Sequence, residues 1–196
     1  MSTAPESGRL AAVLSAIDAA NAADPNMEKD GEGEAPAGLL YGRRMSAELA
    51  RLCPEASEHL KIAARGQHIE RWKVPRKSYP EGRAGYLKWR KNLAAFHAER
   101  VAGLMAAAGY GESDLQRVAG MLRKEGLKRD GEVQMLEAVL CLVLLRWYFA
   151  DYTAGRDTQQ VFNIATKTAR KMSAEGRARV AEEFDLPAEL RPALTS

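Results

Sequence analysis

The sequence predicts an all-α fold with a single multi-helix domain, and three observations support that prediction. Ala, Leu, Glu, Lys and Arg are the strongest helix formers, and they dominate this chain of 196 residues. Val, Ile, Thr and Phe, which strands favour, are sparse. Apolar residues recur at spacings of three and four, the period of an amphipathic helix. At this length we expect one domain, residues 1–196, with a substantial core.

Periodicity and turn residues together define the predicted helices. They run over residues 9–23, 39–52, 54–71, 84–108, 113–126, 132–152, 158–172 and 175–184, with a last short helix after Pro187. Pro25 ends the first helix, and Pro54 is expected to occupy the first turn of the third. Gly109 is a natural C-cap for the fourth helix, and Ser113 is expected to cap the fifth.

Two segments are predicted as loops, and one helix is predicted to be buried. Residues 27–38 are rich in Gly and acids, which is typical of a surface loop, and residues 73–83 form a basic, Pro-containing loop. The helix over 132–152 is apolar on nearly every side, so we expect it to be the central buried helix. Its apolar run ends at Arg146 and is shorter than the roughly 20 residues of a membrane helix, so no membrane span is expected.

The cationic residues are concentrated in one part of the chain. The net charge is only +3, but Lys61 to Lys91 contains ten Lys or Arg and two acids. Such a local field attracts phosphate groups of nucleotides, RNA or free anions. Cys53 and Cys141 lack the spacing of a zinc or redox motif. Free thiols, and an N-terminus unlike a secretion signal, predict a cytoplasmic protein.

Two histidines are predicted to point inward from neighbouring helices. His68 continues the apolar stripe of Leu60 and Ala64 on the third helix, and His97 lies on a similar stripe of the fourth. His59 is half a turn out of phase and is expected to face solvent. Imidazole is the commonest metal ligand and also a general base near neutral pH. The pair is therefore a candidate for metal binding or catalysis.

A single carboxylate lies in the apolar middle of the predicted buried helix. Burying Glu137 costs several kcal/mol unless it is paired or bound to a metal ion. In one interpretation it joins His68 and His97 as a metal ligand, or acts as the catalytic base that orients water. In the other it forms a buried salt bridge with Arg65 or Lys124. Both interpretations stay open at this point.

The cationic residues supply two alternative binding sites. One set would hold the phosphate of a small substrate, and its residues are Arg65, Arg71, Arg76 and Lys124. The guanidinium groups of the three arginines match phosphate oxygens. The other would bind nucleic acid: Lys73, Arg76, Lys77 and Arg83. Trp72 and Trp89 would stack bases in that case, or anchor the core in the absence of a ligand. A solvated basic face with no ligand is the third interpretation.

Four segments resemble one protein family. They are LYGRRMS at 40–46, ARGQHIERW at 64–72, the run from Tyr86 to Tyr110, and LRKEGLKRDGEVQMLE at 122–137. The family is described as domain of unknown function 4202, has bacterial and fungal members, and resembles the chain over about residues 10–194. Some members carry the label glutamyl-tRNA synthetase. We expect no adenylate-forming domain in a chain this short and helical, which also has no Gly-rich phosphate loop.

The order of residues also resembles, more remotely, the all-helical histidine–aspartate superfamily of metal-dependent phosphohydrolases. That resemblance implies that His68 and His97 match two metal-binding histidines and that Glu137 takes the final acidic position, around Mn, Fe, Zn or Mg. The chain departs from the pattern at two alanines. Ala98 follows His97 where the superfamily has a metal-bridging Asp, and Ala138 follows Glu137 where the first family tends to carry Asp. A chain without those acids would keep the fold with a degenerate site.

Three functions follow from these observations. The leading hypothesis is a metal-dependent hydrolase of a phosphorylated small molecule or nucleotide. The alternative is a non-catalytic RNA- or tRNA-binding module. The second alternative is a structural scaffold with a degenerate site. The substrate and the oligomeric state stay open.

Overall fold

The structure is a computed structural model that describes residues 6–31, 33–172, 174–184, 188 and 191–192. Helices form most of this part of the chain, so the predicted all-α class is confirmed. The chain divides into two compact units, residues 1–126 and 127–196. The single domain stays a prediction.

The first unit is a helical bundle with a small hairpin. Its described elements are α1 (Glu6–Asn21), β1 (Met27–Asp30), β2 (Gly33–Pro36), α2 (Ala37–Leu52), α3 (Glu58–Gly66), α4 (Gly82–Ala107) and α5 (Glu112–Leu122). Short 3-10 turns, Arg71–Lys73 and Arg76–Ser78, connect α3 to α4. Because α3 contacts α1, α2, α4 and α5, this short helix forms the centre of the unit.

The core of the first unit forms around α3. Leu60 and Ile62 are at most 2% exposed. Gly66 lets α3 approach α4 closely, because a Cβ atom there would lie 2.5 Å from Cγ2 of Val101. The apolar periodicity of α3 and α4 therefore produces a tightly packed crossing next to the segment that follows α3.

Two predicted helix starts are wrong. Pro54 does not open α3, which begins after Ser57, because the Ser57 hydroxyl accepts the N–H of Leu60 and caps the helix. Ser113 does not cap α5, which begins after Gly111 with Ser113 inside its first turn. In both cases the true cap lies close to the predicted one, and the helix itself is present.

The third helix also ends earlier than predicted. It stops at Gly66, and the predicted continuation to Arg71 is a series of turns. Glu70 has a left-handed backbone with φ of 49°, which an α-helix does not allow. His68 therefore lies in the turn after α3 and not on a helix.

Residues 27–38, predicted as a surface loop, contain an antiparallel β-hairpin. Asp30 pairs with Gly33, and Gly31 adopts φ of +64° in the turn between the strands. Gly adopts this conformation without a steric penalty, and Gly at the first position of the turn is a hairpin signal. The signal is present in the sequence, and it outweighs the low strand propensity of the surrounding residues.

The second unit is helical in its described part. Its elements are α6 (Gly131–Val143), a π-helical turn (Leu144–Tyr148), α7 (Phe149–Thr153), α8 (Thr158–Ala169) and α9 (Ala174–Glu183). Asp130 caps α6 by accepting two backbone N–H groups, and Asp157 caps α8 in the same way with one. The π-helical turn interrupts the helix predicted over 132–152. The last helix predicted after Pro187 lies largely outside the described residues.

Helix α6 is buried on most of its sides, as predicted. Its buried residues are Val133, Leu136, Glu137, Ala138, Val139, Cys141, Leu142 and Val143. The run Gly131–Thr153 is long and apolar enough to cross a membrane by length and composition. Of its most apolar stretch of 18 residues, 44% is buried inside the protein. The core helix of a soluble protein passes the same test, so this run is weak evidence for a membrane span.

Candidate functional site

Two of the predicted site residues, His68 and His97, lie side by side in the first unit. Their ring centroids are 5.8 Å apart, and the ring planes are tilted by 39°. His97 belongs to α4 and is 3% exposed, whereas His68 is half-buried in the turn after α3. The two imidazoles therefore share one partly enclosed site.

The hydrogen bonds of His97 fix its tautomer. Nδ1 lies 2.8 Å from the backbone carbonyl oxygen of Ile69, and because a carbonyl only accepts, Nδ1 carries the proton. Nε2 is buried and has no hydrogen-bond partner in the described part of the chain. Burial, together with the charge of Arg71, lowers the pKa of His97 to about 4, although the bond to Ile69 opposes the shift. At neutral pH Nε2 is a bare acceptor.

His68 is neutral for similar reasons. Its Nε2 lies 3.2 Å from Nη1 of Arg71, and since a guanidinium only donates, Nε2 accepts. Tyr41 stacks on the imidazole with a centroid distance of 4.2 Å. Burial holds the pKa of His68 well below 6.5, and the positive charges of Arg71, Lys124 and Arg90 lower it further. Both histidines are thus uncharged acceptors near pH 7.

The charge of the site comes from Arg71. Its guanidinium carbon lies 5.0 Å from the ring centroid of Trp89, whose Nε1 donates to the carbonyl oxygen of Val74 at 2.9 Å. Among the described residues, Arg71 has no carboxylate partner. Burial lowers its pKa, but a guanidinium stays charged in proteins. We define the histidine cluster as five residues: Tyr41, His68, Arg71, Trp89 and His97.

The turn after α3 is held in place from several elements. The backbone N–H of Glu70 donates to Oδ1 of Asn21 at 2.9 Å. The Glu70 carboxylate accepts from Arg100 and Lys73 at 2.5 Å each. Burial alone would raise the pKa of Glu70, but these two hydrogen bonds outweigh it and keep the pKa low. A left-handed residue other than Gly costs about 1–3 kcal/mol, which this set of contacts offsets.

The other predicted phosphate ligands have partners of their own. Arg65 forms a bidentate ion pair with Asp18, with both N–O distances at 2.6 Å. Arg76 donates to the carbonyl oxygen of Tyr79 at 2.9 Å. Lys124 follows α5 with φ of 62° and acts on the cluster through its charge. Among the predicted phosphate-binding residues, Arg71 lies within hydrogen-bond distance of an imidazole, that of His68.

The predicted nucleic-acid ligands lie between α3 and the start of α4. Lys77 and Arg83 are exposed. Lys73 is 52% exposed, although its ammonium group binds Glu70. The predicted basic loop is thus ordered by two 3-10 turns, and much of its charge faces solvent.

The predicted metal site does not gain a third ligand in the described residues. Glu137 lies on α6 of the second unit and is 2% exposed. No group of three or more His, Cys, Asp or Glu side chains in the described part is placed to hold a metal ion. The Nε2 lone pair of His68 is occupied by Arg71, whose charge repels a cation. The two imidazoles alone do not fit a metal ion, and the divalent metal stays a prediction.

Two residues of the site were not predicted from the sequence. Tyr41 lies within the segment LYGRRMS, so the family resemblance was a signal for it. Asn21 ends α1, where nothing distinguishes it from an ordinary helix-terminal Asn. Outside the histidine cluster, His59 was predicted to face solvent. It is half-buried instead, and its Nε2 lies 2.8 Å from Oδ1 of Asp114. That contact lowers the pKa of Asp114.

A family model described as domain of unknown function (DUF4202) matches residues 11–194, which include the whole histidine cluster. The chain belongs to the DUF4202 family. No curated protein and no solved structure matches it. The resemblance to the histidine–aspartate superfamily stays a prediction.

Proposed function

We propose that this DUF4202 protein is a hydrolase of a phosphorylated or nucleotide-like small molecule, whose phosphate binds at the histidine cluster. The observation that carries the proposal is Arg71, a largely enclosed guanidinium with no carboxylate partner among the described residues. A desolvated charge without a counter-ion is destabilising, and a bound anion removes that cost. A guanidinium also matches two phosphate oxygens at once.

The cluster offers an acceptor next to this donor. Because Nε2 of His97 is buried and unprotonated, it is suited to accept a proton from the ligand or from a water molecule. In the proposed reaction a water oxygen attacks phosphorus, the P–O ester bond breaks, and Nε2 takes the water proton and returns it to the leaving alkoxide. A bound phosphate dianion raises the pKa of His97 from about 4 and makes it a better base.

Charge around the cluster supports an anionic ligand. Lys124 and Arg90, like Arg71, lower the pKa of His68 through their positive charge. Charge of one sign around a site raises the local concentration of the opposite ion. A phosphomonoester, which carries up to two negative charges, fits this field better than a neutral substrate does.

Substituting Arg71 tests the proposal. Arg71→Met keeps an unbranched stem against Trp89 and removes the charge. We expect inorganic phosphate to raise the melting temperature of the wild-type protein, and Arg71→Met to abolish that rise together with hydrolysis in a panel of phosphomonoesters and nucleotides. Arg43→Met is the matched control, because Arg43 is exposed on α2. The phosphate site is refuted if phosphate raises the melting temperature of Arg71→Met as much as that of the wild type. The hydrolase activity is refuted if the wild type cleaves no compound of the panel.

The predicted metal is tested on the same samples. Elemental analysis of the purified protein decides it: stoichiometric Mn, Fe, Zn or Mg that His68→Ala loses would support the metal prediction. Hydrolysis that survives a chelator, with only traces of metal in the wild type, contradicts the metal prediction. If His68→Ala lowers the melting temperature and changes neither metal content nor activity, the cluster is a structural scaffold.

A further inference from the structure

We infer that the beginning of α4 binds single-stranded nucleic acid on an exposed surface that adjoins the histidine cluster. We call it the α4 surface, and its residues are Lys77, Arg83, Tyr86, Lys88, Arg90 and Lys91. All six are exposed in the first unit. The inference does not rest on the proposed hydrolase activity.

The cations of the α4 surface differ from other cations of the same unit in their ion pairing. Four of them form no ion pair in the part of the chain that the structure describes: Lys77, Arg83, Lys88 and Lys91. Elsewhere in the unit, arginines bind carboxylates: Arg44 with Glu28, Arg51 with Glu48, Arg65 with Asp18, and Arg100 with Glu70. From Lys73 to Lys91 the sequence contains one acid, Glu81. This surface therefore has an uncompensated positive charge that suits a polyanion.

An aromatic ring lies among these cations. Tyr86 is 43% exposed, and its ring centroid lies 5.8 Å from that of Trp89, which is 7% exposed. The guanidinium carbon of Arg90 lies 6.0 Å from the Tyr86 centroid, and its Nη1 donates to the Tyr86 hydroxyl at 3.3 Å. Trp89 thus anchors the Tyr86 ring from the core side. An anchored, partly exposed aromatic ring beside a guanidinium is a platform on which a base stacks.

Two of the cations share one face of the helix with the ring. Arg83, Tyr86 and Arg90 are spaced by three and four residues, which places them on the same side of α4. The segment before α4 is held next to it by two hydrogen bonds. Trp89 donates to the carbonyl of Val74, and Asn92 donates to the hydroxyl of Tyr79 at 3.2 Å. These bonds hold the segment that carries Lys77 beside the start of the helix.

The composition of the α4 surface favours a single strand over other polyanions. A duplex keeps its bases stacked, so an exposed Tyr ring would have no partner in it, whereas unpaired bases stack on aromatic side chains. A membrane surface would require a broader apolar face. Only Tyr86 and Leu87 are exposed large apolar residues on this part of α4.

Fluorescence anisotropy with a labelled oligouridine of about twelve nucleotides tests the inference, with the same length of oligothymidine as a second probe. We expect Tyr86→Ala to weaken binding about tenfold and to leave the salt dependence unchanged, because it removes stacking alone. The triple variant Arg83→Gln, Lys88→Gln, Lys91→Gln should lower the slope of log Kd against log salt by about 2, since each lost phosphate contact contributes about 0.7. Circular dichroism confirms that each variant is folded.

A control variant outside the α4 surface separates binding at that surface from the general basicity of the protein. Lys29→Gln with Arg43→Gln removes two exposed cations outside this surface and should leave the affinity within a factor of two. The inference fails if the wild type binds neither oligonucleotide at low salt, or if the control weakens binding as much as the triple variant. It also fails if duplex RNA or anionic lipid vesicles compete as effectively as the single strand, because stacking then has no role.

Discussion

At the level of single residues, the histidine cluster combines one permanent positive charge, that of Arg71, with two imidazoles that are neutral near pH 7. Burial disfavours every charged group, so His68 and His97 respond by staying neutral, with the pKa of His97 lowered to about 4. Arg71 cannot become neutral in this way, because its guanidinium stays protonated even when burial lowers its pKa. The cluster is therefore electrostatically incomplete without an anion, and two predictions about stability follow.

The first prediction concerns the pH dependence of folding. In the unfolded chain His97 titrates near 6.5, and in the folded protein near 4, so below pH 6.5 the unfolded state binds more protons. Stability is complete above pH 6.5 and falls as the pH drops toward 4. For His97 alone the loss at pH 5 is about 2 kcal/mol relative to pH 7.5, and His68 adds to it in the same direction.

His97→Asn isolates this contribution. The Asn amide takes the place of Nδ1 as donor to the Ile69 carbonyl, and it does not titrate. Urea denaturation at pH 7.5 and pH 5 should show a pH-dependent loss about 2 kcal/mol smaller than in the wild type. An unchanged pH dependence would mean that His97 titrates normally in the folded protein.

The second prediction concerns the free energy of unfolding of Arg71→Met without ligand. Removing an enclosed, uncompensated charge should stabilise the free protein by about 1 kcal/mol, although the contacts with His68 and Trp89 are lost. Chemical denaturation in a phosphate-free buffer measures this change, with Arg43→Met as control. A loss of several kcal/mol would instead identify Arg71 as part of the structural core.

At the level of elements, the contact between α3 and α4 sets the position of the turn that carries His68. Gly66→Ala would place a Cβ atom 2.5 Å from Cγ2 of Val101, so we expect a loss of about 1–3 kcal/mol. Val101→Ala opens that space, and the double variant should lose less than the sum of the single variants. Gly103→Ala is the control, because no atom lies within 4 Å of its added Cβ, and it should stabilise α4 by about 0.5–1 kcal/mol.

The same turn shows why the sequence predicts some features of the site and not others. Helix-compatible residues continue past Gly66, so propensity alone extends α3 to Arg71. The chain turns instead because Asn21 and His97 bind the backbone of residues 69 and 70, and these are contacts between residues far apart in sequence. The sequence predictions selected His68, His97 and Arg71, which lie together, but assigned His68 to a helix that it does not belong to. The hairpin differs, since its signal, a Gly directly after the first strand, is local in the sequence.

At the level of the whole molecule, the histidine cluster and the α4 surface both belong to the unit of residues 1–126. Glu137, the third residue of the predicted metal site, belongs to the unit of residues 127–196. The sequence predicts one domain, and a single domain requires that the two units unfold together in one cooperative transition. A unit as small as residues 127–196 has a core that supplies only about 3–5 kcal/mol by itself. Its largest buried side chains are therefore sensitive probes of cooperativity.

Leu136→Ala tests the single domain directly. Leu136 is 1% exposed on α6, so its truncation should cost about 2–5 kcal/mol, close to everything that an isolated unit of this size would have. In a single cooperative domain, hydrogen exchange of the amides of α3 and of α8 accelerates by the same factor, and calorimetry shows one transition. Leu60→Ala in α3 is the reciprocal variant and should affect α8 equally. If Leu136→Ala exposes only residues 127–196 to exchange, the chain consists of two domains.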